Sequence, residues 1–114
     1  MKVIIEDLAK ECITDMFYYN YQFSPKNAIE TDKNINLYLY KIEENPYIGR
    51  YIPKVPDKKF RELIYRKNRT TGYRIVYYIS EITDTIHILY VANCKQDFNR
   101  ALKLHNYFNN FFRF

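Results

Sequence analysis

The run Phe60–Val91, FRELIYRKNRTTGYRIVYYISEITDTIHILYV, decides the fold. Phe60–Lys67 is rich in apolar, β-branched and aromatic residues, and Asn68-Arg69-Thr70-Thr71-Gly72 interrupts it with turn chemistry. Tyr73–Ser80 then alternates apolar and mixed residues at the period of two that a half-buried strand requires. Glu81–Asp84 supplies a polar turn, and Thr85–Val91 is the most aliphatic run in the chain. Connections this short force neighbouring strands to be antiparallel, because a parallel return needs a crossover of a dozen or more residues. The pattern predicts a three-stranded meander. Arg74, set between Tyr73 and Ile75, faces away from the apolar set.

Upstream, Lys2–Ile5 predicts a short strand, and Glu6 and Asp7 suit the positive end of a helix. Leu8, Cys12, Met16, Tyr19 and Phe23 recur at spacings of three and four, which predicts one apolar helical face. Ser24-Pro25 gives an N-cap followed by proline at the first helical position, a specific start signal. Ala28, Ile35, Tyr38, Leu39 and Ile42 form the stripe of this second helix, and Asn45-Pro46 ends it. Pro46–Lys59, with Gly49, Pro53 and Pro56, predicts an irregular connection made basic by Arg50, Lys54, Lys58 and Lys59, with Arg61 just beyond. A last helix is expected over about 98–112, with Phe98, Leu102, His105, Phe108 and Phe112 on one face. The expected fold is α+β, ordered β-α-α-β-β-β: a helical hairpin on a small, mainly antiparallel sheet, with a C-terminal helix. Ile75, Tyr77 and Ile79 should lie under the hairpin, packed by Leu8, Met16, Leu39 and Ile42.

The whole chain, 114 residues, has the length of one domain with its own core. No apolar run approaches the ~20 residues that span a bilayer, and no signal-peptide pattern follows Met1, so a cytoplasmic protein without membrane contact is expected. Cys12 and Cys94 stand far apart, outside metal-ligand spacing, and fit reduced thiols. Neither a metal nor a cofactor is expected. The net charge of +5 favours an anionic partner: nucleic acid, a ribosome or an acidic polypeptide. The thirteen tyrosines and eight phenylalanines invite base stacking, but abundant Ile, Asn and Lys beside only two glycines and no tryptophan match a compositional bias that explains the aromatics without a ligand. Of the two histidines, His87 on a strand and His105 near the end, each is more simply packed or solvated than catalytic. Glu62, beside Arg61 on a strand, points to the opposite face and suits either a base or a cross-strand ion pair.

Several short motifs, taken in order, resemble the RelE/ParE superfamily of bacterial toxins from type II toxin–antitoxin modules. They are Asp7-Leu8, Ser24-Pro25 with Ala28, Asn45-Pro46, Gly49-Arg50 and Arg61-Glu62-Leu63. Thr71-Gly72-Tyr73-Arg74-Ile75-Val76-Tyr77 and Ile88-Leu89-Tyr90-Val91 complete the set. The resemblance implies a cognate antitoxin, with a hetero-oligomer as the neutralised form, and a target in either of two machines. RelE-like members cleave messenger RNA in the ribosomal A site as endoribonucleases (mRNA interferases); ParE-like members poison DNA gyrase and have no known catalytic set. For cleavage the resemblance implies Arg74 at the scissile phosphate, with Lys67 and Lys95 as further catalytic candidates; Glu62 joins them as a candidate base from its place on the strand alone. Phe98 stands where the nuclease pattern has tyrosine, and Asn93 where many relatives have histidine. Arg50, Lys54, Lys58, Lys59 and Arg61 are the candidates for antitoxin or RNA binding. The basic charge tips the expectation towards mRNA cleavage; gyrase inhibition, or a toxin-like binding partner without poison activity, are the alternatives.

Overall fold

The computed structural model describes residues 1–94. The elements are β1 (Lys2–Ile5), α1 (Asp7–Phe23), α2 (Pro25–Glu44), β2 (Arg50–Tyr51), β3 (Phe60–Arg66), β4 (Gly72–Ser80) and β5 (Thr85–Asn93). The meander forms as expected. β3 runs antiparallel to β4 and β4 antiparallel to β5, while β1 joins the far side of β5 in parallel, giving a sheet ordered β1-β5-β4-β3-β2. Two features were not legible beforehand. One is the parallel placement of β1; the other is β2, a two-residue strand inside the stretch expected to be irregular, paired as Arg50↔Glu62 and Tyr51↔Arg61. The helix expected over 98–112 lies outside the described residues.

Local chemistry accounts for the joints. Ser24 caps α2 by accepting a hydrogen bond from the Asn27 N–H at 3.2 Å, with Pro25 in the first turn. In the β3–β4 turn the Asn68 side-chain oxygen accepts from the Thr70 and Thr71 amides at 3.0 and 2.8 Å, replacing partners the backbone lacks there. Asp84 closes the β4–β5 turn in the left-handed region at φ 51°, which aspartate tolerates better than most residues.

The two faces of the sheet differ. Tyr73, Ile75, Tyr77 and Ile79 pack with Ile86, Ile88 and Val91 against Ala9, Ile35, Leu39 and Ile42 of the hairpin, with Met16 at the margin. Ile75 and Tyr77 are fully buried. On the opposite face Ile52, Phe60, Val76, Tyr78, Leu89, Tyr90 and Ala92 form a second apolar cluster. An irregularity makes this possible: Val76 pairs with Tyr90 and Tyr77 with Ile88, so Leu89 is an extra residue on β5. This bulge lets Leu89 and Tyr90 both join the second cluster before Val91 returns to the helical side.

Two expectations about α1 need correction. Leu8 packs on the second cluster, not on the one under the hairpin, because the helix begins at the β1–β5 margin of the sheet. Tyr19 and Phe23 are exposed rather than part of an inward stripe. A ladder drawn at wider spacing drifts around the helix; Ala9, Ile13 and Met16, with Cys12, hold the face that meets the sheet. Past Met16, Tyr19 and Phe23 meet edge to face with ring centres 5.3 Å apart.

Candidate anion-binding cleft

The alternation of β3 and β4 that buries Ile75 aims Arg74 at the other face. There it meets Glu62, which follows the same parity through Glu62↔Val76 and Ile64↔Arg74. Glu62 is a fully buried carboxylate held by two guanidiniums. Arg50 donates from Nε to Glu62 Oε1 at 2.8 Å, with Nη2 at the same distance, and Arg74 Nη1 lies 3.4 Å from Oε2. The Arg74 side chain is 16% exposed and that of Arg50 61%, so Arg74 is the partner that depends on Glu62 for its charge balance.

Arg50 reaches Glu62 because the chain before it is latched to the sheet. The Tyr77 hydroxyl accepts the Gly49 N–H at 2.8 Å and donates to the Pro46 carbonyl at 2.7 Å. Burial, only partly offset by the Gly49 amide, pushes the Tyr77 phenol above its ordinary range and keeps it a donor. Arg61 Nη1 adds bonds to the carbonyls of Gly49 at 2.9 Å and Tyr47 at 3.3 Å. A Cβ at position 49 would stand 2.5 Å from the Tyr77 hydroxyl oxygen and 2.9 Å from the Glu62 carbonyl oxygen, so only glycine fits.

Beside this pair opens a cleft of about 560 Å³ lined by Arg50, Ile64, Arg66, Arg69, Thr70, Gly72, Arg74 and Cys94. Four arginines line it, and the neighbouring carboxylate of Glu62 is already engaged by two of them. Such a cleft suits phosphate or carboxylate groups, which guanidinium forks engage in pairs. Tyr90, near Arg74 and Glu62, is pushed up to about 12 chiefly by burial, against the lowering pull of Arg74, and so remains protonated at neutral pH.

The expected site residues fall into separate places. Arg74, Glu62 and Arg50 come together. Lys67, half-buried at the end of β3, has its amide bonded to the Thr71 carbonyl at 3.0 Å and does not line the cleft. Lys95 and Phe98 lie outside the described residues. Arg61 belongs to the helical side: its guanidinium carbon sits 4.6 Å from the Tyr51 ring centre and 5.2 Å from that of Tyr47. Lys58 Nζ approaches Tyr51 at 5.1 Å, and Lys58, Lys59 and Arg61 line a second, smaller basic hollow with Tyr47, Asp57 and Glu81. Lys54 stands exposed in the loop between β2 and β3. Arg66 and Arg69 are cleft residues that sequence reasoning passed over. Parity would have found Arg66, four places beyond Glu62 on the same strand; nothing in the sequence aims the turn residue Arg69. His87 lies at the β1–β5 margin, its Nδ1 2.8 Å from Glu6 Oε1.

Comparison with known proteins places this architecture. Residues 3–98 match the model of a family described as the ParE toxin of the type II toxin–antitoxin system parDE. The chain belongs to the ParE toxin family. It is thus a type II toxin–antitoxin toxin of the RelE/ParE superfamily. A solved structure titled as the chromosomal ParDE toxin–antitoxin system from P. aeruginosa is similar to this ParE-family toxin at TM-score 0.61 and 16% identity. The match covers 81% of this chain and 94% of the other. A mutant E. coli toxin RelE in the free state is similar at TM-score 0.61 and 14% identity, covering 92% of this chain and 90% of that one. Both likenesses concern the fold. A comparison with curated proteins returns no match. Among the described residues of this ParE-family toxin, no helix is long and apolar enough to cross a membrane.

Proposed function

We propose that this toxin arrests growth by binding rather than by bond cleavage, its arginine cleft gripping an anionic surface on an essential machine until the cognate antitoxin removes it. One observation carries this reading: the carboxylate at the cleft, Glu62, is buried and engaged by Arg50 and Arg74. Cleavage at a 2′-hydroxyl needs a group free to accept its proton. Among the described residues lining the cleft, the remaining ionisable groups are arginines and Cys94, and Tyr90 beside it holds its proton. Among the described residues, arginines whose one neighbouring carboxylate is already engaged can grip an anion but not take a proton. In the ParE-like reading, which the family match supports, the target is DNA gyrase.

Ribosome-dependent mRNA cleavage is the second reading, favoured by the position of Arg74 beside Arg50, Arg66 and Arg69 in a cleft that would hold a phosphate. Inducing wild type, Arg74→Ala and Phe98→Tyr in cells at matched folded levels separates the two. The binding reading expects DNA breaks, gyrase inhibition by purified toxin and intact transcripts in all three. Transcript cleavage in the ribosomal A site, reduced about a hundredfold or more by Arg74→Ala and raised by Phe98→Tyr, would replace it with the nuclease reading.

A further inference from the structure

Gly49, the residue before the cleft arginine Arg50, is held by side chains rather than by a ladder. Its N–H donates to the Tyr77 hydroxyl at 2.8 Å, and its carbonyl accepts from Arg61 Nη1 at 2.9 Å. The same two side chains take carbonyls just upstream: Tyr77 donates to Pro46 at 2.7 Å and Arg61 to Tyr47 at 3.3 Å. Arg61 and Tyr77 can act together because they are ladder partners on β3 and β4 and so share the hairpin side of the sheet. One residue later the chain serves the other side. Arg50 pairs with Glu62 in a strand of two residues, and its guanidinium reaches the Glu62 carboxylate beside the cleft.

From this we propose that Tyr77 and Arg61 are positioning residues for the cleft: clamping Gly49 from the hairpin side, they fix Arg50 on Glu62 and so set its place beside Arg74. Arg50 needs such help. Its side chain is 61% exposed, so water competes for the guanidinium, and holding a long side chain still costs rotamer freedom. A backbone already fixed at Gly49 lowers that cost, which is the effect of preorganisation. Arg50 and Arg74 meet opposite oxygens of one carboxylate, Oε1 and Oε2. These contacts engage Nε and Nη2 of Arg50 and Nη1 of Arg74, which leaves further N–H donors on each guanidinium. A clamp on one side of the sheet thus prepares a pair of donors on the other for a phosphate-like oxyanion. That consequence rests on the binding reading above; the clamp itself does not.

The test follows the Arg50 Nε–H of the purified full chain by NMR, its signal assigned by its loss in Arg50→Ala. Tyr77→Phe keeps the buried ring and removes only the hydroxyl, while Arg61→Met keeps the aliphatic stem and removes the donors. Each should quicken hydrogen exchange at the Arg50 Nε–H about tenfold or more. Ile79→Val, which trims the same buried side without touching the clamp, should leave that exchange unchanged. Inorganic pyrophosphate is the probe for the cleft. Tyr77→Phe should weaken its binding about tenfold, and this loss should vanish in an Arg50→Ala background, as a residue acting through another requires. If Tyr77→Phe does not fold, Arg61→Met, which leaves the ring in place, carries both measurements. Unchanged exchange in the clamp variants, equal quickening in Ile79→Val, additive losses in the double variant, or no pyrophosphate binding by the wild type overturns the proposal. Clamp variants that behave as stated in a toxin that leaves gyrase uninhibited remove the functional reading and keep the clamp.

Discussion

Ile75 and Arg74 are neighbours on one strand, yet they belong to two different proteins in physical terms. The side of the sheet under the hairpin is an apolar interior of Tyr73, Ile75, Tyr77 and Ile79, with the Tyr77 phenol hydrogen-bonded to the Pro46 carbonyl. The side that carries Arg74 gathers arginines, a buried carboxylate and an open cleft at one end of β3 and β4. The difference separates stability from charge: parity along β4 sends Ile75 and Tyr77 into the core under the hairpin and Arg74 to the cleft, where the function proposed above would place a partner.

Substitutions on the two faces should therefore fail in different ways. Ile75→Ala removes a fully buried side chain and should cost about 2–5 kcal/mol in denaturant unfolding. Charge at the cleft should be unchanged in whatever fraction remains folded. Glu62→Ala should cost roughly 2–3 kcal/mol, below the usual figure for a broken buried pair, because Arg50 can turn to solvent while Arg74 stays enclosed. If Glu62→Ala were harmless while Ile75→Ala unfolded the chain, the carboxylate would have no structural part in the cleft.

A pH series sharpens the contrast. Tyr90 keeps its proton to about 12 when folded, against 10.0 for an ordinary tyrosine. Between those values the unfolded chain binds fewer protons, so stability falls as pH rises; below pH 10 the contribution is fully present. Over that interval the fall should amount to roughly 1–3 kcal/mol, and Tyr90→Phe should flatten it in urea titrations at rising pH. The smallest stability effect should be that of Arg66→Glu, within about 0.5 kcal/mol as an exposed substitution. Its consequence should appear instead as a reduced affinity of the cleft for anions.

Much of the architecture was legible because it depends on local signals. Ser24-Pro25 starts α2 within a residue of the end of α1, Asn45 ends α2, and the turns at Asn68 and Asp84 separate strands whose period of two was plain. β1 beside β5 was not legible, since no local signal records which distant strand a short apolar run will join. Tyr19 and Phe23 misled because hydrophobicity states what can be buried and not how far the sheet beneath a helix extends. At the cleft, Arg74 and Glu62 could be placed on the face away from the hairpin core by alternation, and Arg50 was noticed as basic. Their convergence could not be foreseen, because β2 is only two residues long and is held by Tyr77, a residue twenty-eight positions away in sequence from the amide it accepts. Lys67 was singled out where Arg66 was the cleft residue: a shift of one place on a strand changes the face entirely.

The pairing of β1 with β5 has a consequence in time. Lys2–Ile5 is the first of the described strands to be synthesised, but its partners, Thr85–Ile88, belong to the last of them. Until those residues have emerged, β1 has no place to dock and α1 lacks the strand it packs beside. Contacts of such sequence separation close late and slowly. A nascent toxin should therefore remain protease-sensitive at its N-terminus until β5 is out, which limited proteolysis of ribosome-stalled chains would reveal. The cell that makes this protein is then exposed to the folded toxin only once β5 has been made, leaving the interval before that for an antitoxin already present to be waiting.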